Sequence, residues 1–121
     1  MADHLARTVN MLAEHRNTFS KDAEWYATLE GATYRRSTYE YSMYSAVCVE
    51  MLNLLMDHEE KAGTVGTEEA QRILSDLIEY TNLRERECEA QGRDTGFTLT
   101  ISAYNFIRSK LHRQLVIIKE S

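Results

Sequence analysis

The apolar residues of this chain recur at helical spacing, and one stretch is apolar almost throughout. Between Met43 and Met56 the sequence reads MYSAVCVEMLNLLM, interrupted only by Ser45, Glu50 and Asn53. Leaving such a stretch in water would cost several kcal/mol, so it predicts the spine of the fold. It is too short and too interrupted to span a bilayer. Not one proline occurs from Met1 to Ser121, so nothing forbids long helices.

Leu5, Val9, Leu12 and Phe19 predict a first helix from about His4 to Asn17, with Asp3 as its cap. Asn17-Thr18-Phe19-Ser20 reads as a turn, and Ser20 followed by Asp22 and Glu24 as a new helix start, although Phe19, Ala23 and Tyr26 also continue the first stripe. From Lys21 onward nothing stops the helix firmly before Gly63; Gly31 is a soft point costing roughly 1 kcal/mol against Ala, a place for a bend where helices cross closely. On this long helix Tyr34, Tyr41, Met43, Tyr44, Val47, Cys48, Met51, Leu52, Leu54 and Leu55 fall on one half of the cylinder. Arg35, Ser42, Ser45, Asn53 and Glu60 fall on the other. An apolar arc that wide needs at least two neighbouring helices.

Gly63-Thr64-Val65-Gly66 ends the long helix, and Thr67 is the predicted cap of the next, with Glu68 and Glu69 in its first turn. Ala70, Leu74, Leu77 and Thr81 form its buried face. The charged text LRERECEAQ then predicts an end projecting past the core, closed by Gly92. The last segment carries two signals. Phe97, Leu99 and Ile101 alternate with polar residues as a strand would, whereas Ile101, Tyr104, Leu111, Leu115 and Ile118 keep helical spacing. A lone strand has nothing to pair with, so a helix from about Thr98 to Lys119 is predicted. The expected fold is all-α, a single helical domain over residues 1–121: an antiparallel bundle of three to four main helices around one long central helix.

Composition narrows the function more than the fold. The chain of 121 residues has a formal net charge of −5, which argues against an extended nucleic-acid-binding face. Cys48 and Cys88 make no disulfide framework and read as thiols of a reducing compartment. The segment MADHLARTVNMLAEHRN has no hydrophobic signal core, so the expected location is cytoplasmic, without membrane association.

Chemistry-bearing residues cluster in one place. Four of the seven tyrosines fall in TYRRSTYEYSMYS. Tyr34, Tyr41 and Tyr44 share a face, with Glu40 near the same side and Arg36 at its edge. These five are the candidate binding residues, because tyrosine offers a flat π-face and arginine a planar fork. The competing reading makes the tyrosines a polar-ended layer of the core. Glu50, at the border of the apolar arc, calls for a Tyr or Arg partner on another helix, or a place at the rim.

No metal site or cofactor is expected. His4, His15, His58 and His112 are scattered, with no Glu-x-x-His, His-x-x-x-His or Cys-x-x-Cys pattern. Asp57-His58-Glu59-Glu60 reads as a solvated helix end. Arg108 and His112 lie four apart on one helix face, a pair that a small helical ribonuclease could use. Cations complementing a helix C-terminus explain the same residues. If Arg35-Arg36 and the cluster Arg108–Arg113 meet in space, a positive cleft floored by tyrosines would result.

The leading expectation is a non-enzymatic interaction module of adaptor, chaperone or inhibitor type. It would present a helical face to a protein partner and form a homodimer through the long or the C-terminal helix. The second is a binder of a nucleotide or other anion on the tyrosine–arginine face. A ribonuclease using His112 is the third.

Overall fold

Helical spacing is realised in the computed structural model as α1 (His4–Ala27), α2 (Ala32–Ala62), α3 (Thr67–Ala90) and α4 (Thr95–Glu120). The structure describes residues 4–62, 66–91 and 95–120, with backbone alone at 58–62 and 95–97. Among the described residues there is no strand, and the stretch from 97 to 102 is helical. Asp3, Gly63-Thr64-Val65 and Gly92, assigned above to helix ends, lie outside the described residues.

Two helical hairpins build the fold. α1 and α2 pair most extensively, α3 and α4 next, and the hairpins meet chiefly along α2 and α4. Ser20 against Ser45 and Tyr26 against Tyr34 make α1 and α2 antiparallel. Arg84 against Tyr104 and Arg108 against Asn82 do the same for α3 and α4. His4 Nε2 and Thr67 Oγ1, 3.3 Å apart, bring the starts of α1 and α3 to one end.

The core takes one stripe from each helix. Leu5, Leu12, Met51, Leu55, Ile73, Leu74, Ile107, Leu111 and Ile118 are fully buried, each worth about 1.5–3 kcal/mol by removal from water. On α2 the buried set is Val47, Cys48, Met51, Leu52 and Leu55, facing α1 on one side and α4 on the other. The apolar run is not all core, however. Val49 and Met56 point outward, and Tyr34, placed above on the buried half, is exposed.

Three predicted boundaries move. The turn at Asn17–Ser20 is absent, and α1 runs unbroken to Ala27. Phe19 and Ala23 extend its buried stripe, while the Ser20 hydroxyl meets Ser45 across the hairpin at 2.7 Å instead of capping. The chain breaks at Thr28–Gly31, where a continuous helix was expected. Thr28 Oγ1 donates to the Trp25 carbonyl at 2.6 Å, closing the helix end, and Gly31 adopts φ 127°. Its carbonyl then accepts from Arg35 N–H at 3.1 Å to open α2. Gly66, not Thr67, caps α3, its carbonyl accepting from Ala70 N–H at 2.9 Å.

The charged end of α3 packs one face on α4 and leaves Arg86, Glu87 and Glu89 exposed. Cys88 is buried, and Arg84 and Glu85 reach across to α4. No helix among the described residues is long and apolar enough to cross a membrane.

The two glycines that bound helices are not equivalent. Gly31 lies where side-chain-bearing residues are strained, so Gly31→Ala should lower stability in denaturant unfolding by about 1–3 kcal/mol. Gly66 has an ordinary φ of −74° and open space where a Cβ would stand. Gly66→Ser should therefore hold or gain a few tenths of a kcal/mol as a better cap.

Candidate functional site

Heptad spacing on two antiparallel helices assembles a row of rings. α1 carries His15, Phe19 and Tyr26, and α2 carries Tyr34 and Tyr41 seven residues apart, with Tyr44 one turn further. Antiparallel pairing interleaves them. His15 stacks on Phe19 at 5.8 Å and Phe19 on Tyr41 at 6.0 Å. Tyr41 stacks on Tyr26 at 5.5 Å with planes 8° apart, and Tyr26 on Tyr34 at 6.2 Å. Each such pair adds about 0.5–1.5 kcal/mol beyond area burial.

One end of this ladder is anchored in the core. Phe106 of α4 stands edge-on to Phe19 at 5.5 Å and to His15 at 5.4 Å, and tilts against Tyr44 at 5.6 Å. The Lys110 ammonium lies 5.2 Å from the Phe106 centroid. The other end is open. Trp25 stands edge-on to Tyr26 at 5.0 Å with 59% of its surface exposed, and Tyr34 is 40% exposed.

The five predicted binding residues are thus divided between two environments. Tyr34 and Arg36 lie at the exposed tip, beside Arg35, and neither arginine makes an ion pair among the described residues. Tyr41, Tyr44 and Glu40 are half-buried, with both tyrosines packed against the core. Burial, followed by the neighbouring Tyr26, Asp22 and Glu40, pushes the Tyr41 hydroxyl pKa up. Burial, then Glu40 and Tyr41, does so for Tyr44. Trp25 was absent from the residues singled out. Its signal was its place one step off the stripe Leu5–Leu12–Phe19–Tyr26, which turns a large ring outward.

The expected positive cleft does not form around Arg108. Its guanidinium donates to Asn82 Oδ1 at 2.7 Å and pairs with the Glu85 carboxylate, with side chains 17% and 16% exposed. Arg108 therefore faces α3, while His112 is exposed on α4. Lys110 sits at the core end of the ladder and Arg35-Arg36 at its tip.

Glu50 has found the partner its position demanded. The Tyr104 hydroxyl donates to its carboxylate at 2.6 Å, and Arg84 Nε donates to the same hydroxyl at 3.3 Å. Arg84 also holds Glu87 at 2.7 Å. Burial first, then the Glu50 carboxylate, holds the Tyr104 hydroxyl protonated well above its usual range. This cluster ties α2 to the second hairpin at their joint.

A shallow hollow of about 380 Å³ lies in the α1–α2 groove, lined by Ser20, Ala23, Glu24, Thr38, Ser42 and Ser45 among others. Among the described residues no group of His, Cys, Asp and Glu converges in a way that could hold a metal ion. Asp57 is exposed; the side chains of His58, Glu59 and Glu60 lie outside the described residues.

Two pH limits follow from the rings. Burial between Phe19 and Phe106, then the Lys110 charge, lowers the His15 pKa below its ordinary 6.5. The stabilisation tied to neutral His15 is therefore present above pH 6.5 and lost as pH falls through the lower folded value. Unfolding midpoints should decline on the acid side, and His15→Phe should flatten that decline. Tyr41, Tyr44, Tyr80 and Tyr104 all have raised values. Their stabilisation is complete below the unfolded value of 10.0 and is lost as pH rises beyond it. Alkaline unfolding followed by circular dichroism should show a shallower loss in Tyr44→Phe.

Compared with known protein families, curated proteins and solved structures, the chain matches none, so the reading of its site rests on geometry.

Proposed function

We propose that the protein is a non-enzymatic interaction module that grips an acidic protein segment with the tip of its first hairpin, and that it also self-associates through α2 or α4. The observation that carries this reading is Trp25, large, exposed and braced against Tyr26. Trp, Tyr and Arg dominate binding hot spots; Trp25 and Tyr34 both pack on Tyr26, and the exposed Arg35 and Arg36 follow Tyr34 directly. Stacking down to Phe106 fixes the tip rings in advance, which lowers the ordering cost of binding. Two arginines with no ion pair among the described residues favour a segment carrying carboxylates.

In this reading α2 is the central helix around which the others pack, and the compartment is the cytoplasm. Cys48 and Cys88 support the latter as free, buried thiols, the Cys48 pKa pushed up to about 12 by burial. Capture of a nucleotide or other anion is the second reading. It is favoured by the outer face of Tyr34, where the ladder ends and a planar ring could stack. The ribonuclease reading loses its arginine, since Arg108 is held by Asn82 and Glu85.

Trp25 is the sole tryptophan, so its emission reports the tip directly. Peptides selected from a random displayed library against the folded protein should be acidic and should shift Trp25 emission to the blue. Tyr34→Ala should weaken them about tenfold or more at a temperature where the variant is fully folded, its melting temperature falling only by what the single stack on Tyr26 supplies. Tight peptides that leave Trp25 emission unmoved would place the binding face elsewhere. A melting-temperature rise with nucleotides, lost in Tyr34→Ala, would favour the second reading.

A further inference from the structure

α2 has an outward face as regular as its buried one. From residue 37 to residue 56 its exposed positions are Tyr39, Ser42, Ala46, Val49, Asn53 and Met56. They are spaced alternately three and four apart, the repeat of a helix that packs along its length against another helix. None is charged, in a chain where 27% of residues are. Three are large and bare: Tyr39 at 46%, Val49 at 39% and Met56 at 51%. By contrast, exposed positions on α3 include Glu68, Arg72, Asp76, Glu79, Arg86 and Glu87.

We infer that this face is the seam of a homodimer, in which α2 packs antiparallel against α2 of a second copy. The inference deepens the self-association part of the reading above, and of the hairpin tip it involves only Arg35 and Arg36, not Trp25 or Tyr34.

Charge selects the occupant and its direction. The seam is bounded by Arg35 and Arg36 at its start and by Asp57 at its end. Antiparallel pairing of two copies brings the basic end of each to the acidic end of the other, whereas parallel pairing sets like against like. A two-fold axis between Ala46 and Val49 also matches the side chains layer by layer. Tyr39 meets Met56 of the second copy, an aromatic–sulfur contact. Ser42 meets Asn53, so the two polar seam residues satisfy each other. Ala46 meets Val49, leaving a close approach at the centre. The hollow beside Thr38, Ser42 and Ser45 borders this seam and gives the second copy room along α1. A paired Asn–Ser layer within an apolar seam fixes register at some cost in affinity.

Sedimentation equilibrium of the full chain should give twice 14.0 kDa at high concentration, reversing to 14.0 kDa on dilution. Val49→Glu should give 14.0 kDa throughout, with unchanged helix content. Orientation is read by crosslinking, since native Cys48 and Cys88 are buried. Under mild oxidation a variant with both Tyr39→Cys and Met56→Cys should form a covalent dimer, and neither single variant should. A wild-type chain that stays monomeric at every concentration, or a Val49→Glu dimer, overturns the seam. Single variants that crosslink to themselves overturn the antiparallel arrangement. None of these substitutions changes Trp25, Tyr34, Arg35 or Arg36, and peptide binding is read from Trp25 emission in the Val49→Glu variant as well, so the two readings fail separately.

Discussion

The joint between the two hairpins, made chiefly along α2 and α4, depends on the burial of one face of α2. Val47, Cys48, Met51, Leu52 and Leu55 occupy more of its circumference than one helix can cover. α1 takes one side and α4 the other. Burying these side chains is worth about 1.5–3 kcal/mol for each of the larger ones, far more than any surface ion pair in the molecule. Glu50, at the margin of the same face, could not be left there alone, because a half-buried carboxylate without a donor would forfeit much of that gain. The Tyr104 hydroxyl supplies the donor, so the joint between the hairpins is closed by a polar contact set beside an apolar one.

Stripes were legible in the sequence, as were the ends of α2 at Ala62 and α3 at Ala90, whereas the reversal of the first hairpin was not. A buried stripe is a local repeat, visible in Leu5–Leu12–Phe19 or Leu111–Leu115–Ile118 without knowledge of any partner. A boundary depends on what the chain meets. Ser20 has the composition of a cap, but Ser45, distant in sequence, offers its hydroxyl across the hairpin and the helix continues. Gly31 looked tolerable inside a helix; only the pairing of α1 with α2 requires a reversal there. The exposed half of α2 was visible at Ser42 and Asn53. It was hidden at Val49 and Met56, which sit in the apolar run and share its composition but not its phase.

The candidate site was legible to the same degree. The tyrosine cluster announced itself, yet sequence could not separate the rings that stabilise from the ring that is offered outward. Tyr41 and Tyr44 belong to the first kind because Phe19 and Phe106, from two other helices, close over them. Tyr34 belongs to the second because the ladder ends there. The two roles are coupled, since a rigid tip needs a packed base. Arg108 and His112 show the converse: a pair that shares a helix face in projection is divided once α3 supplies Asn82 and Glu85.

α2 thus meets two demands on opposite sides. Its inner face must be apolar enough to hold two hairpins together, and its outer face is free to carry charge, as the outer face of α3 does. It carries none between Arg36 and Asp57. A solvent-facing helix with no interaction to make would gain solubility from Lys or Glu at Ala46 or Asn53, at little cost to the fold. The pattern instead mixes large apolar residues with Ser42 and Asn53, a combination too polar for a core and too apolar for water. That balance suits the proposed seam, which needs enough area to associate reversibly and polar pairs that fix register and exclude other partners.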